Sequence, residues 1–328
     1  MRRPPLLNTP APDMDTLASY TARGTHLKIY APTSDARASY WKAFERVRAG
    51  HYARAERAVL VELNRQARAI AEAALEAGSV HEMEAAALAT SNRVAGGIRS
   101  AYLRIYADVL PDFAMRTYDG LQNSTKAHRK ADPELVDIWL QMALQFVDSE
   151  GGALVTAVTA HTHDQVRRIV SAAVRDGIDE GWDMEQIARR IESDFAGHVN
   201  RTRARAIGRT ETIRASNVGA RAGAKATGLT LQKEWLSAKD TRTRPDHLVL
   251  DETTVPVDAP FSVGGEEAMY PADPNLSPEQ SVNCRCALGY LPVAAKNATL
   301  YRSGSPSKGW KLRSENIHRQ LSAPPWTP

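Results

Sequence analysis

Three residues in the last third of the chain carry donor atoms that chemistry often recruits. His247 offers an imidazole, and Cys284 and Cys286 offer two thiols from a distant segment. One imidazole and two thiolates, completed by an aspartate or a water, satisfy tetrahedral zinc. The Cys-x-Cys spacing is tighter than the Cys-x2–4-Cys of most zinc sites. The alternative is two small buried cysteines and a hydrogen-bonded turn histidine. The same residues are also the raw material of a Cys–His nucleophile pair, which needs an oxyanion hole and a third group to orient the base. Asp246 adjoins His247, but adjacency does not place it in space. His161 and His163, two residues apart, do not share a helix face and are expected at the surface near a helix start. The sequence contains no Gly-x-x-x-x-Gly-Lys, Gly-x-Gly-x-x-Gly or His-Glu-x-x-His pattern. The common nucleotide-loop and zinc-protease chemistries are therefore excluded.

A second chemical feature is charge. Between Arg201 and Lys225 stand seven basic residues and one acid, Glu211, in a chain whose net charge is only +4. Such a segment points to a polyanion or an acidic protein surface; the alternative is a solvated helix face. At about 100° per residue, Arg201, Arg205 and Arg209 form one cluster. Arg203, Arg214, Arg221 and Lys225 form another, with Ile207 and Ile213 flanking the two. Three or four of these cations are expected to reach one phosphate track, giving weak, non-specific contact with double-stranded DNA through Arg201, Arg205 and Arg209.

These groups need elements to hold them. Residues 1–34 are rich in Pro, Thr and Ser and read as an extended arm. From 35 to 159 the chain is helical in pattern. Trp41, Phe44, Val47, Val59, Leu60, Leu63 and Ile70 recur at three or four residues, with Gly50 as a candidate break and Gly78 as a stop. A second stretch runs from about Val80 to Leu110, ended by Pro111, and residues 111–131 read as an irregular connection. Asp132 with Pro133 opens another helix, closed by Gly151-Gly152. A helix over about 153–179 follows, then a capping box at Asp183–Gln186, then the basic helix with Asn200 as its cap. After Gly228 the pattern changes. Leu229–Leu236 has strand character, and Leu248-Val249-Leu250 and Thr254–Val257 read as short strands around a turn. Pro and Gly punctuate 258–278. The fold class is α+β: a helical N-terminal region, a small α+β unit over 160–292 with a short sheet, and an extended tail, 293–328, carrying Trp310 and Trp326.

The C-terminal third also carries an ordered ensemble. Arg209-Thr210-Glu211 lies on the basic helix and Trp235 on the first strand. Asp240-Thr241-Arg242-Thr243-Arg244-Pro245-Asp246-His247 follows, then Pro260-Phe261, Tyr270-Pro271-Ala272-Asp273-Pro274 and Asn283-Cys284-Arg285-Cys286. In this order and spacing it resembles the phage Mu protein F-like head morphogenesis family, the minor head proteins of tailed phages. The resemblance covers about residues 160–292. Family members often carry Asp-Gly after the histidine segment, where this chain has Asp251-Glu252. The resemblance implies a minor head protein made in the host cytoplasm and then carried in the virion head. It would associate with the portal and with capsid or scaffold proteins, and act in head morphogenesis and in DNA packaging or ejection. Within this frame Arg209 and Glu211 are expected to be ion-paired and to lock the basic helix onto the sheet, with Arg242 and Arg244 clamping the Asp240 loop and Asn283 a motif position. The alternative is a phage-encoded enzyme acting on nucleic acid, a nuclease or a nucleotide-dependent transferase, with Arg209 and Glu211 in its charge set; no complete catalytic set is recognised.

Composition limits the remaining classes. The chain has 328 residues, of which 43% are hydrophobic and two are cysteine. Wholesale disorder and a disulfide-stapled secreted fold are excluded, and a reducing compartment is expected. No apolar run approaches the roughly 20 residues that span a bilayer, and Met1–Pro5 has no apolar region behind its arginines, so neither a membrane partner nor a secretory signal is expected.

Overall fold

The computed structural model describes Leu27, residues 32–124 and residues 131–293. Most of the expected N-terminal arm lies outside these residues, as does the tail beyond Val293 with Trp310 and Trp326. The described chain is α+β: a run of packed helices followed by a small antiparallel sheet.

Helix α1 (Ser34–Leu75) begins at Thr33, whose hydroxyl accepts a hydrogen bond from the Ala36 N–H. Tyr40, Phe44, Arg48, His51, Ala55, Val59, Leu63, Ala67, Ile70 and Ala74 are buried along it at three- and four-residue spacing. The stripe crosses Gly50, so the expected break does not occur. An interior glycine costs about 0.5–1 kcal/mol, little against a stripe this long. The next helical stretch is two helices, α2 (Met83–Val94) and α3 (Gly97–Ser124). Helix α3 runs through Pro111, which corrects the expected connection over 111–131. Proline in a helix costs about 3 kcal/mol. Phe113, Tyr118 and Leu121 beyond it continue the buried face of Tyr102, Tyr106 and Leu110, and each large apolar side chain buried contributes about 1.5–3 kcal/mol. Tertiary packing wins.

Helix α4 (Pro133–Ser149) is capped by Asp132, which accepts from the Glu134 N–H. Helix α5 (Gly151–Glu180) stops at Gly181, whose φ of 68° is a left-handed cap. Helix α6 (Met184–Asp194) opens on the expected capping box, with both Asp183–Gln186 bonds formed. A π-helical turn (Phe195–Val199), kinked at Gly197, leads into α7 (Asn200–Ala226). Asn200 is not the cap that the sequence suggested. Helical backbone already precedes it, and its side-chain amide donates to Asn64 Oδ1 at 3.0 Å instead.

Helix α7 is the axis of the molecule. Every residue from Thr210 to Ala224 is buried. It lies backbone to backbone against its neighbours because three glycines leave the space. A Cβ at Gly208 would stand 2.8 Å from Glu56 N on α1; at Gly219 and Gly223 it would stand 2.2 and 2.0 Å from the Leu110 and Ala114 carbonyl oxygens on α3. One apolar core joins α1, α3, α4 and α7 to the sheet. A second gathers the last turns of α1 with α2, α5, α6 and Phe195.

After α7 come β1 (Leu231–Leu236), a short helix α8 (Pro245–Val249), β2 (Thr254–Pro256), β3 (Phe261–Val263), β4 (Glu266–Ala268), α9 (Pro278–Ser281) and β5 (Ala287–Pro292). The main sheet has the order β2-β1-β5, all antiparallel, and β3 pairs with β4 as a hairpin. The expected strand at Leu248-Val249-Leu250 is instead the end of α8. Pro245 fits a first helical turn, and Val249 is 81% exposed, so the apolar triplet is not a paired strand.

Candidate functional site

The chain brings its three candidate ligands together. Trp235 stands at the end of β1, paired in register with Leu288 of β5. Its backbone also exchanges hydrogen bonds with Thr253 and Glu252, which turns the chain back after α8. His247 is buried on α8 and meets the Trp235 ring edge-on, with centroids 5.4 Å apart. Cys284 and Cys286 are free, buried thiols just before β5. Their sulfurs lie 3.6 and 3.4 Å from the same atom, His247 Nδ1. The three donor atoms all fall within 4.8 Å of one another. The other ring nitrogen, Nε2, is buried without a hydrogen-bond partner among the described residues.

The thiols are electrostatically unequal. A hydrogen bond from Cys286 is the largest influence on Cys284 and, with His247, outweighs burial to hold its thiol well below the ordinary range. Burial, reinforced by the neighbouring sulfur, pushes the Cys286 thiol well up.

The Asn283–Cys286 segment is held from several sides. Asn283, at a left-handed φ of 55°, donates its N–H to Thr210 Oγ1 on α7. Trp41 Nε1 and Arg48 Nη1 of α1 donate to the Arg285 carbonyl, and Arg48 Nη2 donates to the Cys286 carbonyl at 2.9 Å. Asn217 of α7 also donates to the Cys286 carbonyl and accepts from the Leu288 N–H. Arg285 forks onto both oxygens of Asp240, whose carboxyl that contact holds well below the usual carboxylate range. Over the triad opens a small pocket of about 10 Å³, lined also by Arg242, Thr243, Arg244 and Asn283. Arg244 donates to the Val282 carbonyl at 2.6 Å, and the Arg242 N–H donates to Asp240 Oδ1. Arg242, whose guanidinium also lies 3.8 Å from Asp240, thus holds the Asp240 loop together with Arg285, while Arg244 ties it to Val282.

Arg209 and Glu211 each have an ion-pair partner, but on different sides of the helix. Two residues apart on a helix, they face different ways. Glu211 accepts from Tyr106 and bonds Arg214 at 2.6 Å in a fully buried pair. Burial works against the Arg214 charge, but Glu211 outweighs it and holds the guanidinium more firmly protonated than usual. Arg209 sits over the Tyr52 ring, 4.0 Å from Glu45. The two arginine clusters of α7 separate in space. Arg203, Arg214 and Arg221 turn inward and are buried, bonded respectively to Thr162, to Glu211 with the Ala272 carbonyl, and to Asp258. Arg201 and Arg205 are exposed, the latter 3.6 Å from Glu56. His163 is not a surface residue near a helix start: it lies inside α5, with Nε2 buried and unbonded among the described residues. The side chain of His161 lies outside the description.

Arg48, Asn217 and Arg285 were not singled out from sequence, although they fix the cysteine segment. For α7 a signal was available. Thr210, Arg214, Asn217 and Arg221 fall at four-, three- and four-residue intervals, one polar stripe on an otherwise small-residue helix. No comparable signal marks Arg48, whose partners are backbone carbonyls some 240 residues away.

With this geometry in place, comparison with known proteins is informative. Residues 168–289 match the family described as Phage Mu protein F like protein. This segment is similar to the phage Mu protein F like family. It contains α6, α7, α8 and the cysteine segment, so the candidate site lies within the Mu F-like match. The minor head protein GP7 of Bacillus phage SPP1 is 32% identical over 125 residues, covering 37% of this chain and 40% of that protein. The uncharacterized protein YqbB of Bacillus subtilis (strain 168) is 26% identical over 162 residues, 48% of this chain and 51% of that one. The chain thus spans about half or less of the curated relatives it matches. No solved structure matches it with significance.

Proposed function

We propose that this chain is a phage minor head protein that acts in head morphogenesis. The observation that carries the reading is the similarity of this chain to a protein named as a minor head protein, beside the Mu F-like match over residues 168–289. In the proposal the chain is made in the host cytoplasm, joins the assembling capsid beside the portal, and stays in the virion head. Its partners are the portal and capsid or scaffold proteins. Two features, both exposed cations, support a binding role. The long helix α1 leaves arginines such as Arg57, Arg65 and Arg68 on its outer surface. Arg201 and Arg205 offer exposed cations to packaged DNA or to acidic protein. Among the described residues, no helix is long and apolar enough to cross a membrane. A nuclease or transferase would instead use Arg209 and Glu211 together, and their separation counts against that alternative.

The test is co-purification from infected cells or from cells expressing the head genes together. The chain is expected with portal and procapsid fractions, and electron microscopy of assembled heads should find its density next to the portal ring. Recovery as free monomer at every stage of assembly would overturn the reading.

A further inference from the structure

The two sulfurs stand at nearly equal distances from one nitrogen, 3.6 and 3.4 Å. Hydrogen bonding explains one such contact, because a neutral Nδ1 carries either one lone pair or one proton. It leaves the second sulfur's approach to that nitrogen without a bond of its own. A cation between the three atoms explains both. With Zn–S of about 2.3 Å and Zn–N of about 2.0–2.1 Å, a nitrogen and a sulfur on a tetrahedral zinc stand about 3.5–3.6 Å apart. The separations found match that edge.

The surroundings agree. The cysteine segment is fixed by protein alone: Trp41, Arg48 and Asn217 donate to its carbonyls and the Asn283 N–H donates to Thr210, so little conformational freedom remains to be lost on binding. A zinc with two thiolates and a neutral imidazole carries no net charge, which suits three fully buried ligands. The pocket lies on the open side of the triad and supplies room for one more ligand. Asp240 is engaged by Arg285, and Asp246 accepts from Gln280 at 2.6 Å, so neither nearby carboxylate is poised to be the fourth protein ligand.

We propose that His247 Nδ1, Cys284 Sγ and Cys286 Sγ bind one zinc ion, with a water from the pocket in the fourth position. The ion ties α8 to the start of β5 and so closes the Mu F-like segment on itself. Thiol protons leave as the metal binds, so affinity falls in acid. The inference is independent of the proposed head role and can fail without it.

The experiment uses the full chain, purified without a histidine tag or chelator. Elemental analysis should find about one zinc per chain. Replacement by cobalt should give thiolate-to-cobalt charge-transfer bands and the intense visible bands of a tetrahedral site. Cys284→Ser, Cys286→Ser and His247→Ala should each lower zinc affinity by more than the roughly 10–100-fold that an outer-shell partner costs. Because a variant can fail to fold, the wild type decides the matter. Chelation should lower its melting temperature, and added zinc should restore it. Wild-type protein that is folded, takes up neither zinc nor cobalt at micromolar concentration, and melts alike with zinc and with chelator would overturn the inference. A disulfide between Cys284 and Cys286 in freshly isolated protein would overturn it as well.

Discussion

Replacing Gly223 by alanine should destabilise this protein, although the same change in an ordinary helix stabilises it. Alanine is favoured over glycine by about 0.8–1 kcal/mol in a helix interior. At Gly223, however, the new Cβ would lie 2.0 Å from the Ala114 carbonyl oxygen. Comfortable contact begins at about 3.5 Å, so α3 and α7 must part locally by roughly 1.5 Å. The atom in the way is backbone, which cannot rotate aside. Overpacking of this kind costs about 1–3 kcal/mol, sometimes more, and the rigid obstacle sets it at the upper end. After the propensity gain, a net loss of about 2 kcal/mol remains. Gly219→Ala, which would meet Leu110 O at 2.2 Å, should behave alike. The double variant should cost less than the sum, because one opening of the interface accommodates both methyls. Gly50→Ala is the internal control. Nothing lies within 4 Å of its would-be Cβ, so it should stabilise by about 0.5–1 kcal/mol. Urea unfolding of the full chain, followed by tryptophan fluorescence, measures all four. If Gly223→Ala raises the midpoint as Gly50→Ala does, α7 is not packed backbone to backbone on α3 and the reasoning fails.

Other substitutions test the buried polar groups and the basic helix. His51 lies between Asp108 and Asp112, at 2.8 and 3.0 Å; burial opposes its charge, but the two carboxylates outweigh burial and raise its pKa above 6.5. The protonated form is therefore favoured in the folded state, and its contribution is complete below pH 6.5 and lost as pH rises through the higher folded value. His51→Gln should flatten that part of the stability–pH curve; an identical slope in variant and wild type would refute it. Arg214→Met leaves Glu211 buried without its cation and should cost about 3–5 kcal/mol in chemical unfolding; a loss below about 1 kcal/mol would show that Tyr106 alone suffices. With Arg203, Arg214 and Arg221 turned inward, Arg201 and Arg205 are the exposed cations of this helix, so about two phosphates are neutralised rather than three or four. The slope of log DNA affinity against log salt should then be about −2. Charge reversal of Arg201 and Arg205 should abolish it; unchanged binding would assign these arginines to protein.

What the sequence made legible is local. The stripe of α1, the Asp132 cap, the Asp183–Gln186 box, β1 and the donor types of the triad all follow from short-range pattern. What stayed hidden depends on distant partners. Pro111 reads as a stop until the face that continues beyond it is seen against α7. Leu248-Val249-Leu250 has the composition of a strand, but Pro245 and the turn back to Trp235 make it a helical turn. The basic segment reads as a uniform charge, yet one of its faces is core, because Glu211, Asp258 and backbone carbonyls lie opposite it. Glu252 takes a left-handed φ of 69°, and its ion pairs with Lys239 and Arg37 hold it there.

The grip of α1 on the cysteine segment bears on how such genes can recombine. Arg37 pairs with Glu234, Tyr40 reaches the Leu288 carbonyl, and Trp41 and Arg48 hold Arg285 and Cys286. All four grips come from a helix that lies outside the matched residues 168–289. That match also begins inside α5 and omits α3, the surface on which the glycines of α7 rest. An exchange between related genes that transferred only the matched stretch would bring a new lock to an old key. Both the carbonyl register along β5 and the glycine spacing along α7 would have to suit a foreign α1 and α3. The unit that must be exchanged whole is therefore the assembly from Ser34 to Pro292, and chimaeric chains joined at the edges of the match should be less stable than those joined upstream of α1.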